Sequence, residues 1–320
     1  MMRQTRAPMT KRILGVLLVA CAMAMPAMAE YPDKDVKLIV PYGAGGGTDT
    51  AARLIQPQME KMLGSNLIVV NMPGAGGTIG ATNFAQTKPD GYTVAFLPAG
   101  TAVVQPHLRK LQYNETSFEP ICRTIQEPVA IMVGPESEYQ SLDQLVAAAK
   151  EGKISAAGSA PGSFPHIGAV LFEKNYDVKV KYVPHEGGAK SARSVLGGQV
   201  DMLVDNIGLA AKFGLKPLAV LSEERAESMP DIQTIDELNG PPIRLSIWWG
   251  LFAPAGTPKE ILGKLSTACS EASASKEYLD SVVAAKKTPN FLGSEEFKAL
   301  FLEQYKANAT LFEEIGLKKQ

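Results

Sequence analysis

The sequence predicts an α/β protein of two lobes, each a doubly wound, mostly parallel sheet flanked by helices. Three observations carry that expectation. Short apolar runs alternate with helical periodicity in the order β-α-β-α-β between Val36 and Leu97. Each of those runs ends in a turn of small residues, as strands feeding helices do in open α/β sheets. The same strand, small-residue turn and helix pattern returns after Lys153.

The first unit begins at Val36-Lys37-Leu38-Ile39-Val40 and runs into Pro41-Tyr42-Gly43-Ala44-Gly45-Gly46-Gly47-Thr48-Asp49. Helical spacing follows at Ala51, Ala52, Leu54, Ile55, Met59 and Met62, with Thr48 or Asp49 as the expected cap. Backbone N–H groups at such a helix start, together with the positive end of its dipole, make an anion seat. The nucleotide readings fail. No lysine follows the turn as a phosphate loop requires, and Thr48 stands where a dinucleotide fingerprint needs its last glycine. Asp49 would repel a polyphosphate, so a carboxylate suits the seat better. A tight connection without any ligand is the plainer alternative.

Gly64 closes the helix, and Leu67 to Asn71 is a second strand ending in Pro73-Gly74-Ala75-Gly76-Gly77-Thr78. A helix from Ile79 to Gln86 and a reverse turn at Pro89-Asp90-Gly91-Tyr92 lead to a strand at Thr93 to Leu97, which ends in Pro98-Ala99-Gly100-Thr101. In a parallel sheet these three strand ends share one edge, where open α/β sheets bind ligands. The three small-residue loops therefore meet there.

Gln105 to Thr124 reads as less regular. Val129 to Val133 is an expected strand, and Ser141-Leu142-Asp143-Gln144 a capping box for a helix to Lys150. Lys153 to Ala157 is a strand, followed by Gly158-Ser159-Ala160-Pro161-Gly162-Ser163-Phe164-Pro165-His166 and a helix through Ala169 to Phe172. This is a second helix-start seat. Strands at Val178 to Val183, Val200 to Val204 and Leu215 to Leu221, with a helix from Gly188 to Leu196, complete the second unit. Leu245 to Pro254 is a further strand. Its Trp248 and Trp249 must point to opposite faces, one to a core and the other towards the cleft. Helices from Pro258 past Ala268 and from Ser294 through Phe297, Phe301 and Phe312 close the chain.

Catalytic and metal chemistry find little support. The three histidines, His107, His166 and His185, lack metal spacing with one another or with a cysteine. No Gly-x-Ser-x-Gly elbow is present. His166 three residues after Ser163 admits a nucleophile–base pair, a pocket donor or plain packing. Asp49 and Asp205 each follow a strand, but nothing in the sequence joins them as paired carboxylates. No cofactor is implied.

The opening residues read as an export leader. Arg3, Arg6, Lys11 and Arg12 precede an apolar stretch from Ile13 to Ala24, and Ala27-Met28-Ala29 is a cleavage site. Leu18-Val19-Ala20-Cys21 is a competing lipobox that would leave Cys21 lipidated. Cleavage after Ala29 removes four basic residues, so 32 Lys and Arg become 28 against 33 Asp and Glu, a net of −5. That balance argues against nucleic acid as a partner. No later apolar run has the length of a membrane span, so a soluble mature protein is expected. Cys122 and Cys269 remain, either paired or as separate buried thiols.

Together the motifs resemble one family: the solute receptors of tripartite tricarboxylate transporters, also called Bug-type receptors. The resemblance runs from Tyr31-Pro32 through Leu38 to Tyr42, Gly45 to Asp49, Asn71 to Gly77 and Pro89 to Thr93, then Gly197-Gly198-Gln199-Val200-Asp201 and Trp248 to Pro258. It implies a periplasmic, type II-like binding protein, a Venus flytrap that closes over a small carboxylate and delivers it to membrane permease subunits. The implied lobes are residues 30–127 with 246–320, and 128–245, after a leader of residues 1–29. The implied ligand-binding residues are Tyr42, Gly45, Gly46, Gly47, Thr48, Asp49, Gly76 and Thr101 from one lobe, and Ser159, Gly162, Ser163, His166 and Asp205 from the other. A monomer without metal or catalytic residues is expected. The chain departs from the family at His185-Glu186, where a tyrosine and a lysine are usual. Exported enzymes of small acids and ligand-presenting sensors for a membrane kinase are the competing functions.

Overall fold

The structure is a computed structural model that describes Met1 and residues 31–314. The leader, both cleavage sites and Cys21 lie outside the described residues.

The elements run β1 (Val36–Val40), α1 (Gly47–Leu63), β2 (Leu67–Asn71), α2 (Thr78–Ala85), β3 (Thr93–Pro98), α3 (Gln105–Leu108) and β4 (Phe118–Val133). Next come α4 (Leu142–Lys150), β5 (Ser155–Gly158), α5 (Phe164–Tyr176), β6 (Lys181–Pro184), α6 (Gly188–Leu196), β7 (Met202–Asn206), α7 (Gly208–Phe213) and β8 (Lys216–Val220). The chain ends with β9 (Ser246–Pro254), α8 (Lys259–Ala274), α9 (Lys276–Ala284), β10 (Pro289–Leu292) and α10 (Ser294–Glu314).

One path of strands, β2-β1-β3-β9-β4-β7-β5-β6, runs through the molecule. It has two sections. In the first, β2, β1 and β3 are parallel, and β9 returns antiparallel beside β3. In the second, β6, β5 and β7 are parallel. The long strand β4 belongs to both: residues 118–128 pair with β9, and residues 129–133 pair with β7 and β8. This is the expected mixed α/β, two-lobed architecture.

The apolar runs bury as their composition demands. Val36, Leu38, Ile39 and Val40 of β1 are at most 1% exposed, and Ala51, Ala52, Ile55 and Met59 of α1 cover them. Trp248 packs edge-on against Phe297 of α10, with ring centroids 5.1 Å apart. Cys122 of β4 and Cys269 of α8 are joined in a disulfide, which ties α8 to the sheet across 147 residues.

Three local readings are corrected. The helix α1 starts at Gly47 with Gly46 as its cap residue, and no side chain caps it, neither Thr48 nor Asp49. The stretch before Thr124 is regular from Phe118 onwards, because β4 begins there. Register shifts between Pro120 and Cys122 and between Arg123 and Ile125 break its period-2 pattern. The Ser141 cap is present, its hydroxyl accepting from Gln144 N, although the Gln144 side chain reaches back to Gln140 N rather than to Ser141.

A cavity at three helix starts

Between the two sections of sheet lies a cavity of about 40 Å³, room for a few waters. Of the sequence-derived residues, Tyr42, Gly46, Gly47, Thr48, Ser159, Ser163 and Asp205 line it. So do Trp249, Asn206, Gly188 and Phe164, which the sequence did not assign to the site. Trp249 was foreshadowed by strand alternation: it faces the cavity, and its indole N–H donates to Thr48 Oγ1 at 2.9 Å.

Three helices of nine or more residues begin at this cavity. They are α1 at Gly47, α5 at Phe164 and α6 at Gly188. Ser163 caps α5, its hydroxyl accepting from His166 N. Each helix start adds free backbone donors and the positive end of a dipole. Among the described residues, no lysine, arginine or histidine lines the cavity. The arrangement can hold an anion through backbone amides and hydroxyls alone. Glycine at position 47 is set by contact: a Cβ there would come within 2.7 Å of Asn206 Nδ2.

The remaining sequence-derived residues stand behind this lining. Tyr42 donates its hydroxyl to Gly76 O at 2.9 Å, and Thr101 donates to the same carbonyl at 3.1 Å. Burial pushes the Tyr42 phenol up to about 12, so it stays a donor. Asp49 accepts from Gly45 N at 2.8 Å, from Asn71 Nδ2 at 2.9 Å and from Arg53 Nε at 3.0 Å. Burial opposes its charge, but those hydrogen bonds outweigh burial and hold the carboxyl below its ordinary range. It braces the glycine turn from outside the cavity. Gly162 N donates to His166 Nδ1 at 3.2 Å, so that imidazole closes the second turn and is not poised to deprotonate Ser163. Burial lowers the His166 pKa and keeps the ring neutral at pH 7. No described contact joins Asp49 to Asp205.

Asp205 is 4% exposed. Its Oδ1 accepts from Asn206 N at 2.7 Å and from Asn206 Nδ2 at 3.0 Å. Burial nevertheless raises its pKa to about 6. His185 and Glu186, at the family departure, turn elsewhere: His185 Nδ1 meets Val183 O at 2.9 Å, and Glu186 pairs with Lys190 at the surface.

Contacts close the cavity from both rims. Lys212 of α7 donates to Gly45 O at 2.7 Å and to Thr50 Oγ1 at 2.6 Å. Opposite, Gln105 and Arg109 both donate to Pro161 O, at 3.2 and 3.1 Å. Lys212→Met should remove the first clasp and weaken ligand affinity by roughly 3- to 10-fold, mainly through faster dissociation, with folding unchanged. Stopped-flow dissociation kinetics check this.

The profile of the family described as tripartite tricarboxylate transporter family receptor matches residues 51–317. The protein BugT of Bordetella pertussis is 28% identical over 316 residues, spanning 96% of this chain and 97% of BugT. The solved structure of the periplasmic binding protein BugD superposes with a TM-score of 0.85 at 30% identity, covering 91% of this chain and all of BugD. MatC from Rhodopseudomonas palustris, solved with bound malate, superposes with a TM-score of 0.81 at 28% identity, covering 88% of this chain and 99% of MatC.

Proposed function

Because the chain belongs to the receptor family of tripartite tricarboxylate transporters, we propose that it binds one small organic carboxylate in the cavity and hands it to membrane permease subunits. The observation that carries this reading is the meeting of three helix starts at a cavity lined by no cationic side chain. That MatC was solved with bound malate supports the ligand class.

In this reading the protein acts in the periplasm as a monomer, after cleavage behind Ala29, and turns over nothing. Residues 30–127 and 246–320 form one lobe and 128–245 the other. The hinge lies at 127–129 and 245–247, where β4 exchanges β9 for β7 and β8 as partners. Gly46, Gly47 and Thr48 receive the carboxylate from one lobe, and Ser159 and Ser163 from the other. Tyr42 orders the first turn with Gly76 and Thr101, as Asp49 does through Gly45. His166 orders the second turn through Gly162.

A thermal-shift panel of mono-, di- and tricarboxylic acids, with mass spectrometry of the protein as purified and of each acid after incubation, tests this. Stabilisation by at least one acid that is recovered unchanged is expected. Chemical conversion of a bound acid would overturn the receptor reading in favour of an enzyme.

A further inference from the structure

The cavity has a donor side and an acceptor side. The donors are the backbone amides at the starts of α1 and α5. The acceptor side is Asp205, a residue 4% exposed, whose second carboxylate oxygen lacks a donor among the described residues. Asp205 Oδ2 accepts no hydrogen bond from any described residue and lies against Gly188, where a Cβ would stand only 3.0 Å away. Asn206 Oδ1 is buried without a partner. A buried acceptor left unpaired is costly, and a buried carboxylate more so. A plain dicarboxylate would bring only further acceptors to this side.

We infer that the acid this cavity selects carries a hydrogen-bond donor, an ammonium best and a hydroxyl next, set against Asp205 Oδ2 while its carboxylate lies at the Gly46–Gly47 and Ser163–Phe164 turns. The inference rests on the carboxylate-receptor reading and narrows it to amino and hydroxy acids. Charge supports the order. Lys287, the cation nearest enough to act on Asp205, is already paired with buried Glu127 at 2.6 Å. Tyr42 and Tyr182, the other titratable groups coupled to Asp205, stay protonated and neutral because burial raises both. An ammonium would supply the missing positive charge, and a hydroxyl only the missing proton.

Aspartate, malate and succinate share one four-carbon frame and differ at one carbon by ammonium, hydroxyl or hydrogen. Glutamate, 2-hydroxyglutarate and glutarate repeat the series one carbon longer. Calorimetric titration of both series at pH 7.5 into the wild type and Asp205→Asn tests the inference. In the better-bound series the amino acid should exceed the plain diacid by roughly 10-fold or more, with the hydroxy acid between. In Asp205→Asn the amino acid should lose roughly 10- to 100-fold, while the plain diacid, relieved of the facing carboxylate charge, should bind more tightly, so that the order of the series reverses or levels. Plain diacids binding as tightly as their amino and hydroxy analogues would overturn the inference and leave the receptor reading standing. So would an order unchanged in Asp205→Asn. Binding of no carboxylic acid at all would overturn both. Should Asp205→Asn fail to fold, the wild type answers alone. Asp205 gains its proton as pH falls through about 6, so the advantage of the amino acid should shrink between pH 7.5 and 5.5. A constant ratio would overturn the inference.

Discussion

Lys287→Met is expected to destabilise the protein by about 3–5 kcal/mol at pH 7.5, the usual cost of stranding one partner of a buried ion pair. Lys287 Nζ meets Glu127 Oε2 at 2.6 Å, with the two side chains 3% and 0% exposed. The ammonium also sits 4.9 Å from the centre of the Trp249 ring, behind the cavity wall. Glu127 Oε1 already lacks a partner, so the lysine is the main compensation for that charge. Burial raises the Glu127 pKa, with Lys287 opposing the rise. Losing Lys287 raises it further. A carboxyl with a raised folded-state pKa binds more protons folded than unfolded, so the variant should regain stability as pH falls towards 5. Urea unfolding at pH 7.5 and 5.0 checks both the size and the sign. The double variant Glu127→Gln with Lys287→Met should recover most of the loss. Equal stability of wild type and Lys287→Met at pH 7.5 would show that the pair contributes nothing net.

Gly46→Val is expected to lower ligand affinity by about 100-fold or more while leaving the fold intact. Position 46 has ordinary backbone angles, φ −75° and ψ 178°. The atoms nearest to a Cβ there are Gly43 O at 3.5 Å and the backbone nitrogens of Gly188 and Ala189 at 3.9 Å. Those are ordinary contacts, so folding tolerates the change. The isopropyl group, however, would stand between the start of α1 and the start of α6, where the carboxylate must meet backbone amides. Losing two charge-assisted hydrogen bonds accounts for the size of the effect. Calorimetry with the best acid, beside far-ultraviolet circular dichroism and a thermal melt, checks it. Unchanged affinity in a folded variant would remove the glycine turn from the site.

Much of this was legible in the residues. The order of strands and helices follows from apolar runs and small-residue turns, and the helix Gly188–Leu196 falls on its expected bounds. Both expected seats line one cavity, because parallel strands place their ends on one edge. What stayed hidden depends on long-range packing. The roles of Asp49 as a brace through Asn71, and of His166 as the closure of its own turn, need coordinates. Pairing of Cys122 with Cys269 spans 147 residues and no local pattern announces it. The early start of β4 was masked by its own bulges, which spoil the alternation used to recognise a strand. Asn206 and Gly188 carried no motif; Asn206 is found only by noting that it ends a buried strand at the same edge, next to Asp205.

Two lobes that close over one carboxylate should bring it against helix starts in both. The most direct test is small-angle X-ray scattering of the wild type with and without a saturating acid, beside Ser163→Trp. The rims that meet through Lys212 and Pro161 should part in the free protein, so adding ligand should shrink the radius of gyration and sharpen the distance distribution. Ser163→Trp, which fills the second seat, should stay open at every ligand concentration. Identical profiles for the free and bound wild type, with binding confirmed by calorimetry on the same sample, would contradict closure and describe a rigid, preformed pocket instead.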